Sequence, residues 1–221
     1  MNVRIQIAGI ASLEEARAAE RLGVDALGFP VRLPDGVHDG ITEAKARSII
    51  QALPPFVATV AITYVSSARE AIDLCRYLGV NTLQLHGEFA APELEMIRVA
   101  MPHLKIIRAV HVTGPEAKGV ARSWEKKVDA ILLDTYDPLT GRRGATGKTH
   151  DWTISREIVA ALRIPVILAG GLRAENVADA IRIVRPWAVD THTGVEDEHG
   201  NRDLGRLEEF VRAVRSAGAM L

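Results

Sequence analysis

The sequence alternates eight times between a short β-branched apolar run and a longer segment with helical periodicity. The predicted strands are Val3–Ala8, Ala26–Val31, Val57–Thr63, Thr82–Leu85, Lys105–Val110, Ala130–Leu133, Val166–Leu168 and Ala188–Asp190. The predicted helices are Leu13–Leu22, Glu43–Leu53, Ala68–Leu78, Pro92–Ala100, Pro115–Trp124, Trp152–Leu162, Ala174–Val184 and Leu207–Ser216. Such alternation builds a parallel sheet with both faces covered. Eight units favour an α/β protein with a single (β/α)8 TIM barrel, and the alternative is an open doubly wound sheet.

Composition narrows the class of protein further. No linker divides the 221 residues, so one domain over residues 1–221 is predicted. The net charge of −1 gives no electrostatic footprint for nucleic acid or for an anionic membrane, and no apolar run is long enough to span one. Cys75 is the only cysteine, which excludes an intrachain disulfide and suits a reducing cytoplasm. Its place within a predicted helix favours a buried structural thiol.

Glycines follow both of the last two predicted strands, where this fold usually binds phosphate. Gly170 and Gly171 follow the seventh strand, and Thr193 and Gly194 follow the eighth. Glycine lets the backbone approach an anion, and free N–H groups near a helix start then donate to it. The alternative is that these glycines only serve tight turns. We predict a phosphate site and, as partner, a small phosphorylated metabolite.

Ionisable side chains also fall at the predicted mouth of the barrel. Asp134 ends the sixth apolar run, where a carboxyl can act as general acid or base, and the alternative is a cap for the next loop. His86 and His192 follow the fourth and eighth strands and are candidate substrate contacts. The histidines lack the spacing of a metal site, so no metal is predicted.

The segment Gly141–Asp151 has the composition of a nucleotide-binding P-loop without its spacing. Gly147, Lys148 and Thr149 match the end of that motif, but Arg142 stands where its first glycine should be. The segment is therefore predicted to be a mobile loop that covers the substrate.

Motifs along the whole chain resemble the phosphoribosylanthranilate isomerase family. The matching text comprises Ile7–Ile10 with Ser12–Ala16, Gly23–Phe29, Leu83–Gly87, Leu132–Thr135, Gly147–Trp152, Ile167–Leu172, and Val189–Asp190 with Gly194–Glu196. The resemblance implies an Amadori rearrangement, in which a phosphoribosyl-aminobenzoate opens its furanose ring and becomes an aminodeoxyribulose phosphate. It implies no cofactor, and members occur as monomers and as homodimers.

The resemblance also implies roles for individual residues. A cysteine base would follow the first strand, and an aspartate acid would follow the sixth, which carries over to Asp134. Phosphate would be held by the four residues after the last two strands, Gly170, Gly171, Thr193 and Gly194. Asp190 falls where the family places a polar contact near the sugar. An arginine after the second strand would grip the carboxylate of the anthranilate.

Two of those parts are missing from this sequence. The family text K-x-C-G-I-T is here Gln6 to Ala11, so Ala8 replaces the cysteine base. The text S-P-R-Y-V-S is here Val37 to Thr42, and Arg32 is the only nearby cation before Lys45. Arg32 is therefore the candidate for the carboxylate contact.

These departures leave three hypotheses. The leading one is an isomerase or lyase acting on a different phosphorylated sugar or related metabolite. Asp134 would be its main acid/base residue, and His86, His192, Asp39 or His38 would be the second group. The first alternative is a true phosphoribosylanthranilate isomerase with a relocated base. The second is a non-catalytic protein that binds a phosphometabolite.

Overall fold

All the predicted strands and helices form, with ends that differ by at most three residues from the predicted ones. The structure, a computed structural model, describes residues 3–34, 40–137, 142–143 and 149–219. The barrel strands are β1 (Arg4–Ile7), β2 (Ala26–Pro30), β3 (Ala58–Thr63), β4 (Thr82–Leu85), β5 (Lys105–His111), β6 (Ala130–Asp134), β9 (Val166–Leu168) and β10 (Ala188–Thr191). The helices are α1 (Leu13–Arg21), α2 (Glu43–Gln51), α3 (Ala68–Leu78), α4 (Ala91–Ala100), α5 (Ala117–Trp124), α6 (Trp152–Ala161), α7 (Ala174–Val184) and α8 (Leu204–Ala219).

The eight parallel strands close into a barrel in the order β1-β10-β9-β6-β5-β4-β3-β2. This confirms the predicted TIM barrel and rules out the open doubly wound sheet. Two short strands after β6, β7 (Tyr136–Asp137) and β8 (Arg142–Arg143), pair antiparallel outside the barrel. A short 3₁₀ helix, Thr193–Val195, follows β10.

Side chains that point into the barrel are mostly small or β-branched. One buried cluster on the β5–β10 side contains Ala109, Leu132, Ile167 and Ala188 among others. A second contains Ala8, Val60 and Ile62. These clusters fill the interior, so the barrel is a packed core rather than a pore, and reactive groups are confined to its ends.

Local signals in the sequence explain where helices begin and end. The Ser12 hydroxyl accepts from the Glu15 N–H at 3.1 Å, while the Glu15 carboxylate accepts from the Ala11 N–H at 3.0 Å. Together these bonds form a variant of the capping box, in which the Glu15 carboxylate accepts from the residue before the N-cap Ser12. Gly79 ends α3 with φ at +74°, a conformation that glycine adopts without steric cost.

Cys75 lies in α3 and is fully buried, in agreement with the prediction of a structural thiol. Burial raises its pKa to about 12, so the thiolate does not form near neutrality. Within the described ranges, no helix is both long and apolar enough to span a membrane.

The amino-terminal end of the barrel holds a cavity of about 650 Å³. Trp187, Ile107 and Val57 are among its lining residues, and Phe56 stands at its edge with 99% of its surface exposed. The Arg4 guanidinium lies 4.4 Å from the centre of the Trp187 ring. A fully exposed phenylalanine beside an open cavity is unusual for a face that contacts only water.

Candidate active site

Asp134 is the last residue of β6 and is 5% exposed at the carboxyl-terminal end of the barrel. Its Oδ1 accepts from the Thr135 N–H at 2.8 Å. Burial raises the pKa of Asp134 to about 6, and the opposing effects of that hydrogen bond and of His192 are smaller. A carboxyl with this pKa keeps its proton closer to neutrality than an ordinary aspartate, which is what a general acid needs.

Asp190 is a second buried carboxyl at the same end. It lies on β10, is 8% exposed, and its Oδ1 has no hydrogen-bond partner within the described part of the chain. Burial and the charge of Asp134 raise its pKa to about 7, against the effects of Gln6, His192 and Arg202. The two carboxyls therefore titrate as a coupled pair, and one proton is shared between them near neutrality.

A chain of amides crosses the barrel interior beneath this pair. Gln6, on β1, donates to Gln84 Oε1 at 2.8 Å, and Gln84 Nε2 lies 2.8 Å from His86 Nε2. Because an amide nitrogen only donates, His86 accepts at Nε2 and carries its proton on Nδ1. Burial, followed by the charges of His111 and Arg108, lowers the pKa of His86 to about 3, so the ring is neutral.

His86 and His111 flank Asp134. One potential ligand atom from each of the three lies within 4.8 Å of the others. Two imidazoles with one carboxylate form a set that can hold a divalent metal. The residues lie at or just after the ends of three different strands, so no spacing along the sequence reveals the cluster. The prediction that no metal is bound stays a prediction.

The two predicted phosphate loops pack against each other through their backbones. Gly170 and Gly171 adopt φ of +83° and +63°. The Thr191 hydroxyl donates to the Leu172 carbonyl at 2.7 Å. A Cβ at Gly194 would lie 1.9 Å from that same carbonyl oxygen, so any side chain there would separate the loops. Glycine at position 194 is thus required by packing as well as by any ligand.

The N–H groups of these loops are available at the mouth. Among the described residues, no backbone hydrogen bond uses the N–H of Gly171 or of Gly194 as donor. Asn176 holds the Gly171 carbonyl through its side chain at 2.9 Å, which fixes the turn before α7. Thr193 begins the 3₁₀ helix and is partly exposed. Phosphate binding by Gly170, Gly171, Thr193 and Gly194 remains a prediction that this geometry favours.

His192 lies between the first and the last barrel strands. Its Nε2 is 3.0 Å from a Glu196 carboxylate oxygen, and a Cβ on Gly9 would meet that ring nitrogen at 2.1 Å. The ring therefore covers Gly9, directly after Ala8. If His192 contacts the substrate as predicted, it does so while its ring nitrogen lies against the Glu196 carboxylate.

Arg202 is a buried cation that the sequence analysis missed. Its side chain is 2% exposed. It donates to the carbonyls of His192, Ala8 and Gly9 at 2.8, 2.7 and 3.1 Å. It thereby ties the loop after β10 to the loop after β1.

Replacing Arg202 with methionine is expected to lower the free energy of unfolding by about 2–4 kcal/mol, because buried carbonyls lose their donor. Chemical denaturation measures the loss. Arg212→Met is the matched control, since that side chain is 70% exposed in its pair with Glu208 and should change stability by at most about 0.5 kcal/mol. Equal stability of the two variants would contradict the role given to Arg202.

Arg32 does not present a free guanidinium to the mouth. Its Nε lies 2.7 Å from a Glu43 carboxylate oxygen, and its Nη1 donates to the Glu70 carbonyl at 3.0 Å. The hydrogen bond with Glu43 raises its pKa. Its backbone φ of +49° fits this fixed position. The predicted carboxylate contact by Arg32 would therefore require the ion pair with Glu43 to break.

Some predictions concern residues outside the described ranges. His38 and Asp39, offered as second catalytic groups, lie there, as does most of the predicted covering loop Gly141–Asp151. At the end of that loop, His150 bridges Thr135 and Ser155 with contacts of 3.0 and 2.7 Å.

The fold and the site define a TIM-barrel protein with paired buried carboxyls and paired glycine loops at the carboxyl-terminal end of its barrel. The sequence profile of the family described as N-(5'-phosphoribosyl)anthranilate isomerase matches residues 5–213. The chain belongs to this family.

Individual relatives agree along their whole length. The N-(5'-phosphoribosyl)anthranilate isomerase of Methanocella arvoryzae is 41% identical over 96% of this chain and 98% of its own. Isomerase 2 of Methanosarcina mazei is 37% identical over 97% of this chain and 95% of its own. The crystal structure of the Thermotoga maritima isomerase has a TM-score of 0.84 at 34% identity and covers 97% of this chain and 99% of its own.

Proposed function

We propose that this protein is an isomerase that converts phosphoribosylanthranilate to its aminodeoxyribulose phosphate, as in tryptophan biosynthesis. The observation that carries the proposal is Asp134, a buried carboxyl with a raised pKa at the end of β6. Relatives at 37–41% identity that carry this activity in their names support the original substrate. These relatives favour phosphoribosylanthranilate as the substrate over the different phosphorylated metabolite of the leading hypothesis from the sequence.

The chemistry divides between the two halves of the mouth. The loops containing Gly171 and Gly194 would hold the phosphate and fix one end of the sugar. Asp134 would protonate the ring oxygen while the bond from that oxygen to C1 breaks, which leaves an iminium at C1. Loss of the proton on C2 then gives an enolamine, and its tautomer is the aminoketose. A second group must take the C2 proton, and the methyl of Ala8 cannot.

A phosphorylated product-like ligand is known for a relative. A related structure, 31% identical with a TM-score of 0.82, is a complex with reduced 1-(o-carboxyphenylamino)-1-deoxyribulose 5-phosphate. This supports a phosphorylated sugar as the ligand here. The absence of a cofactor and a cytoplasmic location stay predictions.

The proposal is tested by incubating the purified protein with phosphoribosylanthranilate and following the aminodeoxyribulose phosphate by chromatography. We expect multiple turnovers without added cofactor. Binding of the substrate without product would favour the non-catalytic alternative. Neither binding nor turnover would restore the hypothesis of a different metabolite.

The amino-terminal face favours a homodimer over a monomer. Phe56 is 99% exposed beside the 650 Å³ cavity on the same face. In a two-fold arrangement, each copy offers both the projecting ring and the receiving cavity, so the interface is self-complementary. Among the related structures, monomers were made from a dimeric Thermotoga maritima isomerase.

Replacing Phe56 with serine is therefore expected to convert a dimer to a monomer in sedimentation velocity, because burial of a phenylalanine contributes about 1.5–3 kcal/mol on each side of the interface. Leu204→Ser is the control, since Leu204 is an apolar residue 41% exposed at the first position of α8, and helices of this fold begin at the opposite end of the barrel. Wild-type protein that sediments as a monomer at micromolar concentration would contradict the dimer.

A further inference from the structure

We propose that Asp190 is the general base that replaces the thiol missing at Ala8, and that Gln6 is its positioning residue. The inference rests on the proposed function, because it assigns the second proton-transfer group of the same reaction. Gln6 on β1 pairs in register with Asp190 on β10, so both side chains point to the interior.

Ala8 is the next inward residue of β1 after Gln6, one layer closer to the mouth. At this position β1 contributes only a methyl group, packed beside Val60 and Ile62. A substrate in the mouth therefore meets no ionisable side chain at Ala8, and the inward carboxyl on the neighbouring strand β10 is Asp190.

The Asp190 carboxyl has a free acceptor site. Its Oδ1 is buried with no hydrogen-bond partner among the described residues, which is costly unless a ligand or a proton uses it. Gln6 lies within hydrogen-bonding reach of the carboxyl, and its amide is also fixed by Gln84 at 2.8 Å. The carboxyl is thus fixed by Gln6, while its buried Oδ1 is left without a hydrogen-bond partner among the described residues.

The reaction needs Asp190 ionised and Asp134 protonated, because paired carboxyls act as base and acid only in opposite protonation states. Burial and the charge of Asp134 raise the pKa of Asp190 to about 7, while Gln6, His192 and Arg202 act against that rise. Burial raises the pKa of Asp134 to about 6. The shared proton therefore resides more often on Asp190, and the reactive form is the minor singly protonated state of the pair. A carboxylate with a pKa near 7 is a strong enough base to take the C2 proton near neutrality.

The proton transfers then balance. Asp190 removes the proton from C2 while the electrons of that bond form the C2–C1 double bond and neutralise the iminium. Asp134 has given its proton to the ring oxygen, which becomes the C4 hydroxyl. Asp190 then gives its proton to C1 of the enolamine, and Asp134 takes the proton of the C2 hydroxyl as the carbonyl forms, so both carboxyls return to their starting states and the reaction is a net isomerisation.

A pH profile follows from the coupled pair. Below the first apparent pKa both carboxyls are protonated and the base is lost. Above the second, both are ionised and the acid is lost. The rate is therefore expected to be bell-shaped in pH. Gln6→Lys would place an ammonium beside Asp190 and lower its pKa, so the acid limb should move to lower pH. Gln6→Met, which adds no cation, should not lower it.

The decisive experiment removes the base and supplies another. Asp190→Asn should lower kcat by at least about 10²-fold with little change in KM. Ala8→Cys added to that variant should raise kcat again by at least about tenfold. Iodoacetamide, which alkylates the new thiol, should abolish the restored activity. Ala8→Ser in the same background is the matched control and should stay inactive. The one natural thiol, Cys75, is buried and does not compete.

The outcomes of these assays distinguish a failure of the proposed function from a failure of the assignment of Asp190 as base. Wild-type protein without turnover on phosphoribosylanthranilate overturns the proposed function, and the base assignment with it. Active wild-type protein with Asp190→Asn within about threefold of its kcat overturns the base assignment alone. If Asp190→Asn fails to fold, the pH–rate profile of Gln6→Lys decides instead. An acid limb at the same pH as in the wild type overturns the base assignment.

Discussion

Asp134→Asn is expected to lower kcat by at least about 10²-fold while the affinity for phosphorylated ligands changes little. Asparagine keeps the shape of the side chain and its contact with the Thr135 N–H, but it has no proton for the ring oxygen. Steady-state kinetics on phosphoribosylanthranilate measure the loss. A titration with ribose 5-phosphate measures whether the phosphate site survives.

The control for this variant is Asp73→Asn, on the exposed surface of α3, where the aspartate is 62% exposed. Its kcat should match that of the wild type. Full turnover by Asp134→Asn would sink the assignment of Asp134 as acid. It would also make the imidazoles of His86 and His111 candidates for the acid, since they lie against the same carboxyl.

Thr193→Asp is expected to weaken the binding of ribose 5-phosphate by at least about 10²-fold. A like charge about 4 Å from the anion costs about 4 kcal/mol in a partly exposed site. Thr193→Asn is the matched control, because it has the same shape as aspartate without the charge, and it should bind within about tenfold of the wild type. Isothermal titration calorimetry distinguishes the two. Equal affinities would place the phosphate away from the 3₁₀ helix after β10.

The fold could be predicted because every element carries its own local signal. Ser12 and Glu15 mark a helix start, Gly79 marks a helix end, and the apolar runs mark the strands. The sequence also placed Asp134 at a strand end, because its position after an apolar run determines that. These signals depend on neighbours along the chain.

The rest of the site depends on contacts between distant segments. Gln6 meets Gln84 across 78 residues, and Arg202 meets Ala8 across 194. A glutamine within an apolar strand signals a polar interior only once the closed barrel shows which face is inward. Distant contacts also explain why the prediction for Arg32 is difficult to sustain. Its guanidinium was expected to be available for a substrate carboxylate, but α2 and α3 bring Glu43 and the Glu70 carbonyl to it.

The replacement of the family's cysteine by Ala8 bears on how sensitive the protein is to oxidation. A catalytic thiolate at a solvent-facing site is open to peroxide, which converts it first to a sulfenic acid and then irreversibly to higher acids. This chain has a single cysteine, and Cys75 is buried with its pKa raised to about 12. Under the proposed assignment of acid and base to two carboxyls, peroxide finds no catalytic thiol to oxidise in this protein.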